Sequence, residues 1–242
     1  MRKLFFDKIN ENREIVITGD DHKHIAFSLR MRKGDEIVIC AGGVDYTAKI
    51  TEITKDKTTV EIVGKARNLS EPSVDITLFF GALKGDKNDY IVQKCTELGV
   101  KKFVPFISKF SSVVKENVKT ERLNKIALEA SKQSGRGYVP EVCETISFND
   151  LYDFLDDYDL IVFPYEHEEQ LSLAEFLDKG GRGKTAIIIG SEGGFSTAEA
   201  EKIREKSGDS VTLGERILRA DTACVAVCSA LMFALGEWSR HV

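Results

Sequence analysis

Ala186-Ile187-Ile188-Ile189-Gly190-Ser191-Glu192-Gly193-Gly194-Phe195-Ser196 decides how this chain is read. An unbroken apolar run enters a glycine cluster, and helical sequence follows. Leu213-Gly214-Glu215-Arg216-Ile217-Leu218-Arg219-Ala220-Asp221-Thr222-Ala223 repeats the arrangement further on. Each reads as a short buried strand that ends in a glycine turn and opens a helix. Open α/β sheets bind ligands at such strand ends, because a residue without Cβ lets backbone amides and carbonyls approach a small molecule closely. Two of them in series predict one pocket built largely of main chain.

Around these turns, strand-like and helical stretches alternate. Val74 to Leu83 is strand-like, and Ile91, Cys95 and Leu98 fall on one helical stripe. Lys102 to Ile107 is strand-like, and Leu123, Ile126, Ala127 and Ala130 mark another stripe. Asp159 to Phe163, Thr185 to Gly190 and Val211 to Leu213 are further strands with helical sequence after each. This alternation predicts an α/β domain with a mostly parallel sheet covered on both faces. The first seventy residues differ. Asp35 to Cys40, Tyr46 to Ile53 and Thr58 to Val63 are β-branched and punctuated by Ala41-Gly42-Gly43-Val44-Asp45 and Lys55-Asp56-Lys57, the pattern of a small β-barrel. Asn68-Leu69-Ser70-Glu71-Pro72-Ser73 reads as the linker, which gives domains 1–70 and 73–242.

The chain has 242 residues, 42% hydrophobic and 30% charged, the composition of a folded protein. The nearly apolar run from Ala223 to Leu235 is too short to span a bilayer and reads as a core helix, so no membrane is expected. Met1-Arg2-Lys3 leads into a short apolar group and then charges, which does not read as a signal segment, and the cytoplasm is the expected location. The five cysteines form no CxxC pair. Cys224 and Cys228 share a helix face, but without further ligands they read as small core residues, and no metal is expected. His22 and His24, after Gly19-Asp20-Asp21, read as part of a helix start.

The net charge of −5 is unevenly spread. Lys84 to Arg136 holds twelve Lys or Arg against six Asp or Glu, whereas Glu141 to Asp178 holds twelve acidic residues and no Lys or Arg. Partners respond to the local field, and the basic segment suits a polyanion. Familiar nucleotide and hydrolase motifs are excluded. Gly183-Lys184-Thr185 would need the first P-loop glycine at Asp178, and it runs into a strand where a helix is required. Gly81-Ala82-Leu83-Lys84-Gly85-Asp86 does not fit a dinucleotide fingerprint. Gly190-Ser191-Glu192-Gly193 is not a nucleophile elbow.

Four segments together resemble the SPOUT superfamily of knotted methyltransferases, and within it the RsmE-type family. They are Lys84-Gly85-Asp86-Lys87-Asn88-Asp89-Tyr90-Ile91-Val92-Gln93-Lys94-Cys95-Thr96-Glu97-Leu98-Gly99-Val100, Glu129-Ala130-Ser131-Lys132-Gln133-Ser134-Gly135-Arg136, Ile189 to Ser196, and Leu213 to Ala223. Arg30-Met31-Arg32-Lys33-Gly34-Asp35 fits that family's small PUA-like RNA-binding barrel. The chain departs from the pattern at Ser191, where proline is usual, and at Asp221, where glutamate is usual.

The resemblance implies S-adenosylmethionine-dependent methylation of N3 of one uridine in small-subunit (16S) ribosomal RNA. It also implies a deep trefoil knot in the α/β domain and a homodimer acting on ribosomal RNA or the 30S particle. Cofactor contacts are expected from Phe163, Pro164, Tyr165, Glu166, Ile189, Gly190, Glu192, Gly193, Gly194, Leu213, Gly214, Ile217, Leu218 and Thr222. Because N3 of uridine is protonated at neutral pH, the chemistry needs a base or a cation to support its anion. Arg136, Glu192 and Asp221 are the expected catalytic groups. Arg2, Arg30, Arg32, Lys84, Lys87 and Arg136 are expected to meet RNA. A non-catalytic RNA binder, or a methyltransferase for another RNA or for ribose, is the competing reading. The glycine turns argue against the first, since a pure binder needs no cofactor cup.

Overall fold

The β-branched runs of the N-terminal third form strands in the computed structural model, which describes residues 3–9, 13–115, 118–178 and 183–239. By packing density the chain divides into two compact units, Met1–Glu71 with Ser131–Val139, and Pro72–Ala130 with Pro140–Val242. The sequence reading assigns all of 73–242 to one domain, whereas the segment Ser131–Val139 groups with the first unit.

In the first unit, β1 (Lys3–Phe5), β2 (Glu14–Ile17), β3 (Glu36–Ala41), β4 (Val44–Ile53) and β5 (Thr58–Arg67) make a five-stranded sheet in the order β1-β3-β4-β5-β2. The β1–β3 ladder is parallel and the other three are antiparallel. Alternation along the strands buries Ile37, Ile39, Ala48, Ile50 and Val60, which pack with Leu4, Ile17, Ile25 and Met31 as one core. The helix α1 (Gly19–Lys23) runs into a π-helical turn, His24–Ser28. His22, 2% exposed, is fixed by Thr58 Oγ1 at 2.8 Å and the Lys55 carbonyl at 3.1 Å, so it is a core residue. Among the described residues no cluster of three or more His, Cys, Asp or Glu could hold a metal ion.

The second unit is built on β6 (Asp75–Gly81), β7 (Lys102–Ile107), β8 (Glu141–Val142), β9 (Ile146–Ser147), β10 (Leu160–Val162) and β11 (Lys184–Ile189). The order is β10-β11-β6-β7-β8, with β9 also on β7, and every one of these ladders is parallel. The apolar runs of β6 and β11 are buried almost throughout, as strands covered on both faces must be. Helices α2 (Lys87–Glu97), α3 (Thr120–Ser134), α4 (Phe148–Phe154), α5 (Leu173–Asp178), α6 (Thr197–Ser207) and α7 (Ala220–Ala234) follow or connect the strands. The α7 helix packs on α2 and β11, and buries Cys224, Val227, Cys228 and Leu231. No helix among the described residues is long and apolar enough to cross a membrane.

Candidate functional site

Three chain segments meet beyond the C-terminal ends of β10 and β11. The first is Phe163–Glu166, after β10. The second is the turn Gly190–Gly194 after β11, closed by the Gly194 amide donating to the Ser191 carbonyl at 3.0 Å. The third is Val211–Arg219, which leads into α7. The sequence suggested a strand at Val211–Leu213. The residues make two isolated parallel bridges instead, Val211 with Pro164 and Thr212 with Ser172. The Val211 amide donates to the Phe163 carbonyl at 2.9 Å and the Tyr165 amide to the Val211 carbonyl at 3.0 Å, so the third segment is clamped against the first, while the Thr212 amide donates to the Leu171 carbonyl at 2.8 Å. Between the three lies a cavity of about 390 Å3, within the ~300–1,000 Å3 of small-molecule sites.

The walls need glycine. A Cβ on Gly81 would stand 2.3 Å from the Ser191 peptide nitrogen, so β6 lets the turn press directly on its last residue. Gly194 has φ +66°, and a side chain there would meet Glu166 Oε1 at 2.7 Å. Ser191 is buried, and its Oγ has no hydrogen-bond partner among the described residues. Ser196 and Glu199 cap α6 reciprocally, and Glu199 Oε1 also accepts the Lys109 amide at 2.8 Å. Gly193 sits where a Cβ would meet the Phe110 carbonyl at 2.7 Å, so the segment after β7 abuts the turn after β11.

One ion pair stands in the cavity wall. Lys87 Nζ lies 2.8 Å from Glu192 Oε1, with the two side chains 30% and 32% exposed. The start of α2 is fixed by Asn88, whose side chain accepts the Leu83 amide at 2.9 Å and donates to the Leu83 carbonyl at 3.0 Å. Burial disfavours the charge on Glu192. The Lys87 ammonium and the amides of Glu192 and Lys84 outweigh it and hold the carboxyl below its ordinary range.

Of the expected cofactor residues, Pro164, Tyr165, Glu166, Ile189, Gly190, Glu192, Gly194, Leu213, Gly214, Ile217 and Leu218 line the cavity, as does Asp221. Phe163 does not. It is a fully buried core residue stacked with Tyr165 and edge-on to Phe195. Gly193 faces Phe110, and Thr222 is exposed outside the cavity. The sequence reading passed over Leu83, Ser191, Phe195, Thr212, Arg216 and Arg219, which line it too. All six flank residues it did choose. Lys87, expected at RNA, is another lining residue.

Arg136 belongs to the first unit and is 2% exposed. Its guanidinium grips Glu71 with Nε at 2.7 Å and Nη2 at 3.0 Å. Glu71 also accepts the amides of Gly137 and Tyr138. An arginine so enclosed is not a surface contact for RNA phosphate. Arg30 and Arg32 are exposed, and Arg30 has a left-handed backbone at φ 51°. Lys84 is exposed as well. Arg2 lies outside the described residues.

The model of the RNA methyltransferase domain family matches residues 70–232, and that of the RNA methyltransferase PUA domain matches residues 17–63. The chain is 34% identical to the ribosomal RNA small subunit methyltransferase E of Bacillus subtilis, over 96% of both chains. It is 32% identical to the protein of the same name from Aquifex aeolicus, over 95% of this chain and 98% of that one. A crystal structure of ribosomal RNA small subunit methyltransferase E from Neisseria gonorrhoeae bound to S-adenosyl methionine superposes with a TM-score of 0.84 at 28% identity, covering 96% of this chain and 97% of that one. With the parallel sheet, the converging strand ends and these likenesses in place, the chain belongs to the RNA methyltransferase family that contains the ribosomal RNA small subunit methyltransferases E.

Proposed function

We infer that the chain transfers a methyl group from S-adenosylmethionine to N3 of a uridine in small-subunit ribosomal RNA. The observation that carries this is the cavity at the ends of β10 and β11. It is walled by main chain at Gly190–Gly194 and lipped by Leu213, Ile217 and Leu218. These suit a ligand with an aromatic base, a polar tail and a compact cation. Bound there, S-adenosylmethionine supplies a methyl carbon activated by a sulfonium, whose electron pair returns to sulfur when the carbon is taken.

The chain's part is to hold and to orient. The amides and carbonyls of Ile189, Gly190 and Gly194 line one side, and Leu213, Gly214, Ile217 and Leu218 offer apolar and main-chain contacts to the adenine. Pro164, Tyr165 and Glu166 close the third side. Of the carboxylates in the cavity wall, Glu166, Glu192 and Asp221, this reading gives the proton to Glu192 or Asp221. Positioning of this kind removes several kcal/mol from a bimolecular barrier. The exposed Arg30, Arg32 and Lys84 bind RNA backbone in this reading, and the uridine is turned out of its helix into the cup. Arg136 acts through Glu71 as a positioning residue for 131–139.

Calorimetry with S-adenosylmethionine tests the cup. Mass spectrometry of ribosomal RNA from a deletion strain, before and after complementation, tests the reaction. Saturable binding and a restored methyl on uracil N3 are expected. A protein that binds RNA but not S-adenosylmethionine would instead be an assembly factor. A methyl on ribose or on transfer RNA would overturn the target. The same reading includes the 30S particle as substrate, a cytoplasmic location, a homodimer and a trefoil knot. A monomeric mass in light scattering overturns the dimer. A chain stretched to its full contour length from both ends overturns the knot.

A further inference from the structure

Uracil N3 carries a proton at neutral pH, and each pKa unit between it and its base adds about 1.4 kcal/mol to the barrier. The group that removes the proton must face the cavity, and the negative charge left on the uracil needs a cation. Lys87 and Glu192 are an opposite pair already joined there, Nζ to Oε1 at 2.8 Å. Each is about one-third exposed, so neither is sealed from an incoming base. Asn88 holds the start of α2, and the Lys84 amide reaches the same Glu192 oxygen at 3.4 Å.

Resting on the function inferred above, we propose that Lys87 and Glu192 are an exchangeable ion pair that carries the acid–base half of the reaction. The N3–H bond breaks, its electron pair stays on the uracil and spreads to the carbonyl oxygens, and the proton forms an O–H bond on Glu192. Lys87 turns from the neutralised carboxyl to the uracil oxygen. The N3 pair is then free to form the new bond to carbon. A carboxylate–ammonium pair becomes a uracil–ammonium pair, so no uncompensated charge is created in the cavity. Lys87 and the two amides favour the charged form of Glu192, so it begins as the anion; the same contacts weaken it as a base, and the departure of Lys87 to the uracil oxygen restores its basicity as the proton arrives. The other charged groups in the cavity wall are Glu166, Arg216, Arg219 and Asp221. Asp221 Oδ1 accepts the amide of Thr222, which occupies one of its oxygens.

The test is a pH profile of kcat on small ribosomal subunits that lack the methyl group, with calorimetric affinity for S-adenosylmethionine measured for every variant. Lys87→Met is expected to lower kcat about 100-fold with cofactor affinity and the KM for RNA unchanged, and Lys87→Arg to restore most of it. Glu192→Gln is expected to lower kcat about 100-fold at neutral pH and to regain about tenfold per pH unit as hydroxide takes over. Were Lys87→Met to raise KM alone and flatten the salt dependence, Lys87 would be a phosphate contact and the proposal would fall. A Glu192→Gln profile parallel to wild type would sink it even if the Lys87 variants failed to fold. A wild-type protein that binds no S-adenosylmethionine overturns the function itself, whereas a methylating wild type with an unimpaired Lys87→Met overturns this proposal alone.

Discussion

Two ion pairs in this molecule look alike on paper and have opposite surroundings. In the first unit, Arg136 is 2% exposed and meets Glu71 through two nitrogens, with the amides of Gly137 and Tyr138 on the same carboxylate. In the second, Lys87 and Glu192 touch through one nitrogen and one oxygen, each with about a third of its side chain exposed. A buried charge whose partner is removed has nowhere to find water, so the first pair is fixed into the structure. A partly exposed pair stabilises little and can change partners at little cost. The difference separates a charge used to build from a charge kept ready for chemistry.

Substitutions at the two pairs and in the cavity wall separate these roles. Arg136→Ala should be the most damaging, at about 3–5 kcal/mol, because it leaves the Glu71 carboxylate buried without its cation. Denaturant unfolding measures it, and a loss below about 1 kcal/mol would erase the distinction between the pairs. Gly81→Ala should follow, at about 1–3 kcal/mol from overpacking, since its Cβ would stand 2.3 Å from the Ser191 nitrogen. Cofactor affinity should fall with it, as calorimetry would register.

The acid limb is a third measure. Burial disfavours the Glu71 charge, but Arg136 and the two amides overcome it and set its folded pKa below the ordinary 4.5. A depressed carboxyl contributes stability that is fully present above the unfolded value and lost as pH falls through the folded one. Wild type should therefore lose up to about 1.4 kcal/mol per pH unit from this group below pH 4.5. Glu71→Gln should lack that component of the acid limb, at the price of lower stability at neutral pH.

Lys87→Met, by contrast, should change unfolding free energy by no more than about 1 kcal/mol while it removes activity. The smallest effect expected is from Ser191→Ala. The buried hydroxyl bonds to nothing among the described residues, so its removal should cost no stability and leave cofactor affinity unchanged, as denaturant unfolding and calorimetry would register.

The sequence carried the sheet better than it carried the charges. Lys102–Ile107 was readable residue for residue, and the apolar run Ala186 to Ile189, read as a strand over Thr185 to Gly190, lies in the observed strand Lys184–Ile189, buried on both faces. Val211–Leu213 was misread as a strand. A run that short fixes no register of its own, and its place is set by main-chain bonds to Phe163 and Leu171, about forty to fifty positions away along the chain. The cup was legible through its glycines, whose spacing is a backbone signal. Its side-chain walls, such as Phe195 and Thr212, were not, because any residue beside a turn can face in or out. Arg136 shows the sharper limit. Its basic neighbourhood pointed to RNA, and what encloses it is a carboxylate 65 positions earlier in the chain. Local charge density reports the field of a segment and says nothing of which long-range partner has claimed a given guanidinium.

Glu199 ties two parts of the second unit together, since one carboxylate caps α6 and also takes the Lys109 amide, while Gly193 rests against Phe110. Grafting a longer connection after β7 would therefore distort the cup without touching a lining residue. Segments that a protein engineer would treat as disposable surface are here the buttress of the pocket.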